Sequence, residues 1–259
     1  HKSLAVNLSD LAAMGARPVA FTLALSLPSP DEPWLKSFSE GLFSMADICR
    51  CELIGGDTTR GPLNICITVF GEVPVGQALR RDKAQYGDDI WISGSIGDAR
   101  LALAHCLEEI ELKPEEVKAV VPNLQMPIPR VALGMELRKI AHAALDLSDG
   151  LMGDLNHILD ASNVGATINV DALPISPVLA KQPRERQLYC ALSGGDDYEL
   201  CFTAPVSMRS RILEASTRTG VPVTRIGYIE NEKGLRIKNS AGEIQNLSFT
   251  SFDHFSTAQ

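Results

Sequence analysis

The chain has 259 residues, 45% of them hydrophobic and 22% charged, and a formal net charge of −8. This composition is typical of a globular protein with enough chain for two domains, and no apolar run approaches the roughly 20 residues that a membrane span needs. The acidic balance, without a basic stripe, argues against a nucleic-acid partner. Six cysteines without CxxC spacing, and the lack of a leader, predict buried thiols in the cytoplasm.

The first third of the chain predicts a small α+β unit. The predicted elements are a helix over 3–16, a buried strand over 18–28, a helix over 29–50, and strands in "CELIGG" and "NICITVFGEVP". The polar segment 76–89 has no periodicity, so we place the domain boundary there, with domains over 1–80 and 81–259. The chain begins at His1 in text typical of the middle of a domain, so we expect natural sequence before it.

The remaining two thirds mix helices and strands without strict alternation, which favours an α+β fold over a doubly wound sheet. "IWISGSIG" predicts a strand, and helices are expected near 98–108, 114–121 and 129–142. "AALDLSD" predicts a strand that runs into the amphipathic helix "GLMGDLNHILDASN". Further strands are predicted in "GATINVDALPI", "YCALSG", "YELCFTAP", "VTRIGYIE" and "LRIKN", with a last helix over 207–220.

The stretch "LIGGDTTRG" (53–61) places Asp57 after a strand, in a predicted glycine-containing turn. Glycines let the backbone approach a ligand closely, and the threonines add oxygen ligands or donors. Taken alone, glycine with Asp and Thr is also the composition of an ordinary turn.

Two further strand-associated turns carry acids. In "LDLSDGL" (145–151) an extended backbone puts Asp146 and Ser148 on one side, and Asp149 falls where it could cap the next helix. In "LSGGDDYEL" (192–200) two adjacent acids follow two glycines, and a solvated turn is the ordinary explanation. Asp10 is equally compatible with an exposed helical acid. Together these acids form a set of hard oxygen ligands suited to Mg²⁺.

Five strings in order resemble the thiamine-monophosphate kinase family, within the ATP-binding superfamily typified by aminoimidazole ribonucleotide synthetase: "AVNLSDLAAMGARP", "LIGGDTTRGP", "ALDLSDGL", "LSGGDDYELCF" and "FDHF". They span nearly the whole chain. The resemblance implies a two-domain α+β architecture with an incomplete N-terminal domain, and a homodimer formed by sheet pairing. It implies Mg²⁺ ligands at Asp10, Asp57, Asp146 and Asp149, ATP contacts at Gly56, Asp57, Arg81 and Ser148, and thiamine-phosphate contacts at Asp196 and Phe252.

The implied activity is transfer of the γ-phosphoryl group of ATP to thiamine monophosphate by a cytoplasmic enzyme that uses several Mg²⁺ ions. The acceptor phosphate has a second pKa of about 6, so it needs no general base at neutral pH. Arg81 is the candidate for stabilising charge on the transferred group. Two departures from the family pattern stand out: the N-terminal "GDDA"-type motif is absent from the chain, and Asp196 replaces a common Glu. A selenophosphate synthetase-like enzyme and a non-catalytic thiamine-phosphate or nucleotide-binding module remain alternatives.

Overall fold

A computed structural model describes residues 1–245 and 247. The helices are α1 (Lys2–Ala13), α2 (Glu32–Cys49), α3 (Asp98–Cys106), α4 (Pro114–Gln125), α5 (Val131–Glu136), α6 (Leu151–Ser162), α7 (Arg184–Ser193) and α8 (Arg209–Thr219). The strands are β1 (Arg17–Leu27), β2 (Glu52–Arg60), β3 (Asn64–Glu72), β4 (Asp89–Ser93), β5 (Ala143–Asp146), β6 (Gly165–Asn169), β7 (Leu200–Ala204), β8 (Val223–Glu230) and β9 (Gly234–Lys238). This combination confirms the predicted α+β class.

The first unit is a three-stranded sheet in the order β2-β1-β3, with β2 parallel and β3 antiparallel to β1. One face of this sheet is covered, because Phe21 of β1 packs with Leu4 and Leu8 of α1 and with Leu42 of α2. The opposite face is exposed and includes Phe70, which is 47% exposed. The alternation follows from the strand period of two, which sends successive side chains to opposite faces.

The second unit is a six-stranded sheet in the order β5-β7-β4-β8-β6-β9. Along β4, Ile90 and Ile92 join a core that includes α6 and α7, whereas Trp91 joins the core on the other face with α5 and α8. Helices on both faces explain why all five residues of β4 are buried. All five residues of β7 are buried as well, so the loop before β7 leads into a fully buried strand.

Helix α1 packs against both units. Leu4 and Leu8 belong to the core of the first unit, while Ala12 and Ala13 belong to a core of the second. The approach of α1 to α5 is close, since a Cβ on Gly134 would lie 2.0 Å from the carbonyl oxygen of Ala12. The glycine therefore allows α1 to lie directly over the second sheet, near β5.

Several local predictions are wrong; for example, the helix expected over 129–142 is limited to α5. "YCALSG" is the end of α7, not a strand, because Leu188, Ala191 and Leu192 are buried at helical spacing that a short apolar run does not reveal. "LIGGDTTRG" is part of the continuous strand β2 rather than a turn. The cysteines are free, but Cys66 and Cys106 are exposed rather than buried.

Among the described residues, no helix is long and apolar enough to cross a bilayer.

Candidate active site

A pocket of about 220 Å³ opens between α1 and the second unit. It brings together four of the predicted site residues from distant parts of the sequence: Asp10, Arg81, Asp146 and Ser148. Val6 and Asn7 of α1, Asp154 of α6 and Tyr198 complete the lining. The position of α1 over β5 is what places Asp10 opposite Asp146, so the pocket depends on both units.

The pocket is electrostatically acidic. Burial raises the pKa of Asp10, and the charge of Asp146 raises it further while Arg81 lowers it. Burial also raises the pKa of Asp146, with a smaller contribution from the nearby charge of Asp149. Partly desolvated carboxylates that repel one another favour a bound cation, because a cation offsets both effects.

Asp154 organises the turn that carries the predicted phosphate and metal contacts. Its Oδ2 accepts hydrogen bonds from the backbone N–H groups of Ser148 and Asp149, both at 3.0 Å. The side chain is buried, and this burial raises its pKa to about 6. The role of Asp154 is not visible in the sequence, because the leucine spacing indicates only an amphipathic helix and does not show that an acid lies on its buried side.

Asp149 does not cap α6 as predicted. Gly150, with φ at 105°, occupies the position before the helix, and the backbone of Asp149 donates to Asp154 instead. The hydrogen bonds to Asp154 thus satisfy the N–H groups of the two residues that precede the N-cap of the helix. It also leaves the side chain of Asp149 close enough to Asp146 and Asp154 to raise the pKa of each.

The loop 194–198 is joined to this turn by backbone hydrogen bonds. Asp196 N donates to Ser148 O at 2.9 Å, and Tyr198 N donates to Leu147 O at 2.8 Å. A Cβ on Gly195 would lie 2.1 Å from Ser148 O, so only glycine allows this approach. The loop is therefore bonded to the Asp146–Asp149 turn and is not an independent solvated turn.

The two adjacent acids of this loop have different partners. Asp197 accepts a hydrogen bond from Gly97 N at 2.8 Å, and burial raises its pKa well above the usual range. Asp196 forms an ion pair with Lys2 Nζ at 2.8 Å and accepts a hydrogen bond from Tyr198 Oη at 3.0 Å. Asp196 is thus connected to the pocket by Tyr198, which lines it. Its other partner, Lys2, lies at the opposite end of α1 from Asp10.

Gly56 and Asp57 are not part of this pocket lining. Asp57 is exposed in β2, in register with Ala24 of β1, which in turn pairs with Cys66 of β3. That row belongs to the exposed face of the first sheet. A Cβ on Gly56 would lie 1.9 Å from Leu23 O, so the glycine there permits strand pairing. Phe252 lies outside the described residues.

The chemistry of the pocket fits Mg²⁺, while its geometry supplies only part of a coordination shell. Within residues 1–245 and 247, no group of three or more His, Cys, Asp or Glu side chains is arranged to hold a metal. Mg²⁺ commonly binds through one or two carboxylates, with waters and substrate phosphates as the other ligands. The mutually repelling carboxylates of Asp10 and Asp146, of which Asp146 is buried, match that requirement.

Comparison with known proteins places the fold in a family. Residues 1–73 match the family described as AIR synthase related protein, N-terminal domain, and residues 85–239 match AIR synthase related protein, C-terminal domain. These two segments together cover most of the chain, so the two units correspond to an AIR synthase-related architecture.

Individual relatives narrow this assignment. Thiamine-monophosphate kinase of Salmonella typhimurium is 45% identical over 260 residues, covering 99% of this chain and 80% of the relative. The crystal structure of thiamine-monophosphate kinase from Stenotrophomonas maltophilia has a TM-score of 0.88 at 49% identity, covering 93% of this chain and 78% of that one. AaThiL complexed with AMPPCP and TMP has a TM-score of 0.84 at 29% identity, covering 98% and 79%. The chain therefore belongs to the thiamine-monophosphate kinase family.

Proposed function

We propose that this protein phosphorylates thiamine monophosphate with ATP, giving thiamine diphosphate and ADP by direct in-line transfer. The observation that carries the proposal is the acidic pocket in which Asp10, Arg81, Asp146 and Ser148 meet. Membership of the kinase family supports the reaction, and a relative of similar fold binds both AMPPCP and TMP. We further propose two functional units, residues 1–80 and 81–259, each built around its own sheet.

We propose that several Mg²⁺ ions bind with the nucleotide, held by Asp10, Asp57, Asp146 and Asp149. When bound, Mg²⁺ neutralises charge on the phosphates and orients them. Asp10 and Asp146 line the pocket, and Asp149 lies close enough to affect the ionisation of Asp146. The remaining ligands would include phosphate oxygens and water, as is usual for this ion.

In this proposal the side chains of the protein bind the two substrates and position them, and none acts as a general base. The acceptor phosphate is largely deprotonated at neutral pH, so no side chain has to remove a proton from it. Arg81 is a guanidinium in a pocket of carboxylates and is suited to hold the transferred phosphoryl group. In this proposal ATP is contacted by Gly56, Asp57 and Ser148. Thiamine phosphate is contacted by Asp196 and Phe252.

We also propose a cytoplasmic homodimer in which the exposed face of the first sheet packs against its copy. That face includes Ala24, Cys66 and the half-exposed ring of Phe70. Asp57 belongs to the same row, so a second subunit would bury it and bring it to the nucleotide. The free cysteines support a reducing compartment.

The decisive experiment is a coupled assay for ADP release that depends on thiamine monophosphate and Mg²⁺. We expect Asp149→Asn and Asp57→Asn to lower turnover at least ~100-fold, the scale of losing one key electrostatic group. Asp160→Asn, an exposed change on the same helix as Asp154, serves as the matched control and should leave turnover unchanged. Binding of both substrates without ADP release would indicate a binding module and refute the kinase proposal.

A further inference from the structure

One face of helix α1 runs along the pocket. Val6 and Asp10 line the pocket, and Lys2 precedes Val6 by one more helical turn. Residues four apart lie on the same helix face, so Lys2, Val6 and Asp10 form one stripe. At about 1.5 Å per residue, Lys2 and Asp10 are separated by about 12 Å along the axis. The stripe therefore has an acid at one end and an ammonium group at the other.

The ammonium group of Lys2 meets the loop that carries Asp196. Lys2 Nζ lies 2.8 Å from Asp196 Oδ1 and 5.9 Å from the centroid of the Tyr198 ring. Tyr198 Oη donates to the same Oδ1 at 3.0 Å. Two donors therefore hold one oxygen of the carboxylate, and one of them, Tyr198, also lines the pocket.

The backbone conformation of loop 194–198 explains why it needs a contact from another element, such as Lys2 of α1. Asp196 has φ at 68° and Tyr198 has φ at 50°, both in the left-handed region that residues other than glycine rarely adopt. Such conformations persist only when surrounding contacts determine them. Hydrogen bonds to Ser148 and Leu147 fix the loop on one side, and Lys2 fixes the carboxylate on the other.

We propose that Lys2 is a positioning residue for the thiamine-phosphate substrate. It holds Asp196 so that the second carboxylate oxygen can accept from the amino group on the pyrimidine ring of the substrate, and it offsets one negative charge where a phosphate monoester must enter an acidic pocket. This inference rests on the proposed function, since it concerns the substrate end of the same site. Helix α1 then contributes to the site in two ways: Asp10 binds the metal, and Lys2 positions the carboxylate that contacts the substrate.

The test compares Lys2→Met with Lys2→Arg in the full chain. We expect Lys2→Met to raise KM for thiamine monophosphate about tenfold or more, the effect of losing one charge-assisted hydrogen bond, while KM for ATP changes less than twofold. Lys2→Arg keeps the charge and the donors, so it should restore KM to within about threefold of the wild type. Lys36→Met, on the exposed face of α2, is the matched control.

A double variant that also changes Asp196 distinguishes a positioning role of Lys2 from a general effect on stability. If Lys2 acts through Asp196, adding Lys2→Met to Asp196→Asn should change KM for thiamine monophosphate by less than twofold. An unchanged KM in Lys2→Met overturns the proposal. Equal rises in both KM values, accompanied by a lower melting temperature, also overturn it because they indicate a purely structural role.

Calorimetry separates this inference from the proposed function. A wild-type chain that binds thiamine monophosphate without releasing ADP refutes the kinase activity only, and the ratio of Kd values for Lys2→Met and wild type then decides the role of Lys2. A wild-type chain that does not bind thiamine monophosphate refutes both.

Discussion

The ion pair between Arg130 and Glu199 predicts a large, specific loss of stability. Arg130 Nε donates to Glu199 Oε2 at 2.7 Å, and Nη2 donates to Oε1. Ser93 Oγ donates to the same carboxylate. The side chain of Glu199 is 5% exposed and that of Arg130 24%, so the carboxylate depends on these partners rather than on water.

The change Arg130→Met should leave the carboxylate of Glu199 buried, with Ser93 as its remaining hydrogen-bond partner among the residues that the structure describes. Removing one member of a buried pair typically costs about 3–5 kcal/mol in the free energy of unfolding. For a chain of this size each kcal/mol corresponds to about 2–4 °C in the melting temperature, so we expect a fall of about 6–20 °C. Urea unfolding followed by the fluorescence of the buried Trp91 measures the free energy directly.

A matched control uses the same pair of residue types on the surface. Arg17 Nη2 lies 2.6 Å from Glu72 Oε1, but the two side chains are 53% and 64% exposed. Arg17→Met should cost about 0–1 kcal/mol because solvent screens the pair. The double change R130M/E199M should recover part of the loss, since no unpaired charge remains. Similar losses for R130M and R17M would refute the reasoning, as would a double variant less stable than R130M.

Two further predictions concern the site and the dimer. Asp154→Ala removes the acceptor for two N–H groups of the Asp146–Asp149 turn and should raise the Mg²⁺ concentration for half-maximal rate about tenfold. Asp154→Asn keeps an acceptor oxygen and should raise this concentration less. Equal effects of the two changes would exclude the hydrogen-bonding role of Asp154. Iodoacetamide should alkylate the exposed Cys106 at any protein concentration, whereas Cys66, exposed in the single chain, should become protected as the homodimer forms. Equal alkylation of both thiols in a dimeric sample, measured by peptide mass spectrometry, would exclude Cys66 from the interface.

Local patterns predicted most of the elements around the site. The apolar run 18–28 is β1, and the leucines at 151 and 155 are buried in α6 as their spacing indicated. Alternation within "DLSDG" correctly placed Asp146 and Ser148 on one side, since both line the pocket. These predictions succeeded because they depend on strand and helix periodicity, which a single segment displays.

Other features depended on contacts between segments. "YCALSG" is helical because its apolar residues meet the core at helical spacing, and β2 continues through Asp57 because β1 supplies hydrogen-bond partners as far as Arg60. Asp154 was missed because its partners are backbone groups of the preceding turn. None of these contacts is visible in local composition.

The sequence by itself determined an α+β chain whose hard oxygen ligands are grouped in glycine-containing segments, together with a resemblance that named a phosphoryl-transfer chemistry. Only the tertiary structure decided which acids meet. Asp10 and Asp146 are far apart in sequence and share a pocket because α1 packs over β5, whereas Asp57 lies on the exposed face of the other sheet. Periodicity is a property of one segment, but the convergence of charges depends on how segments pack, and packing also brings Lys2 to Asp196.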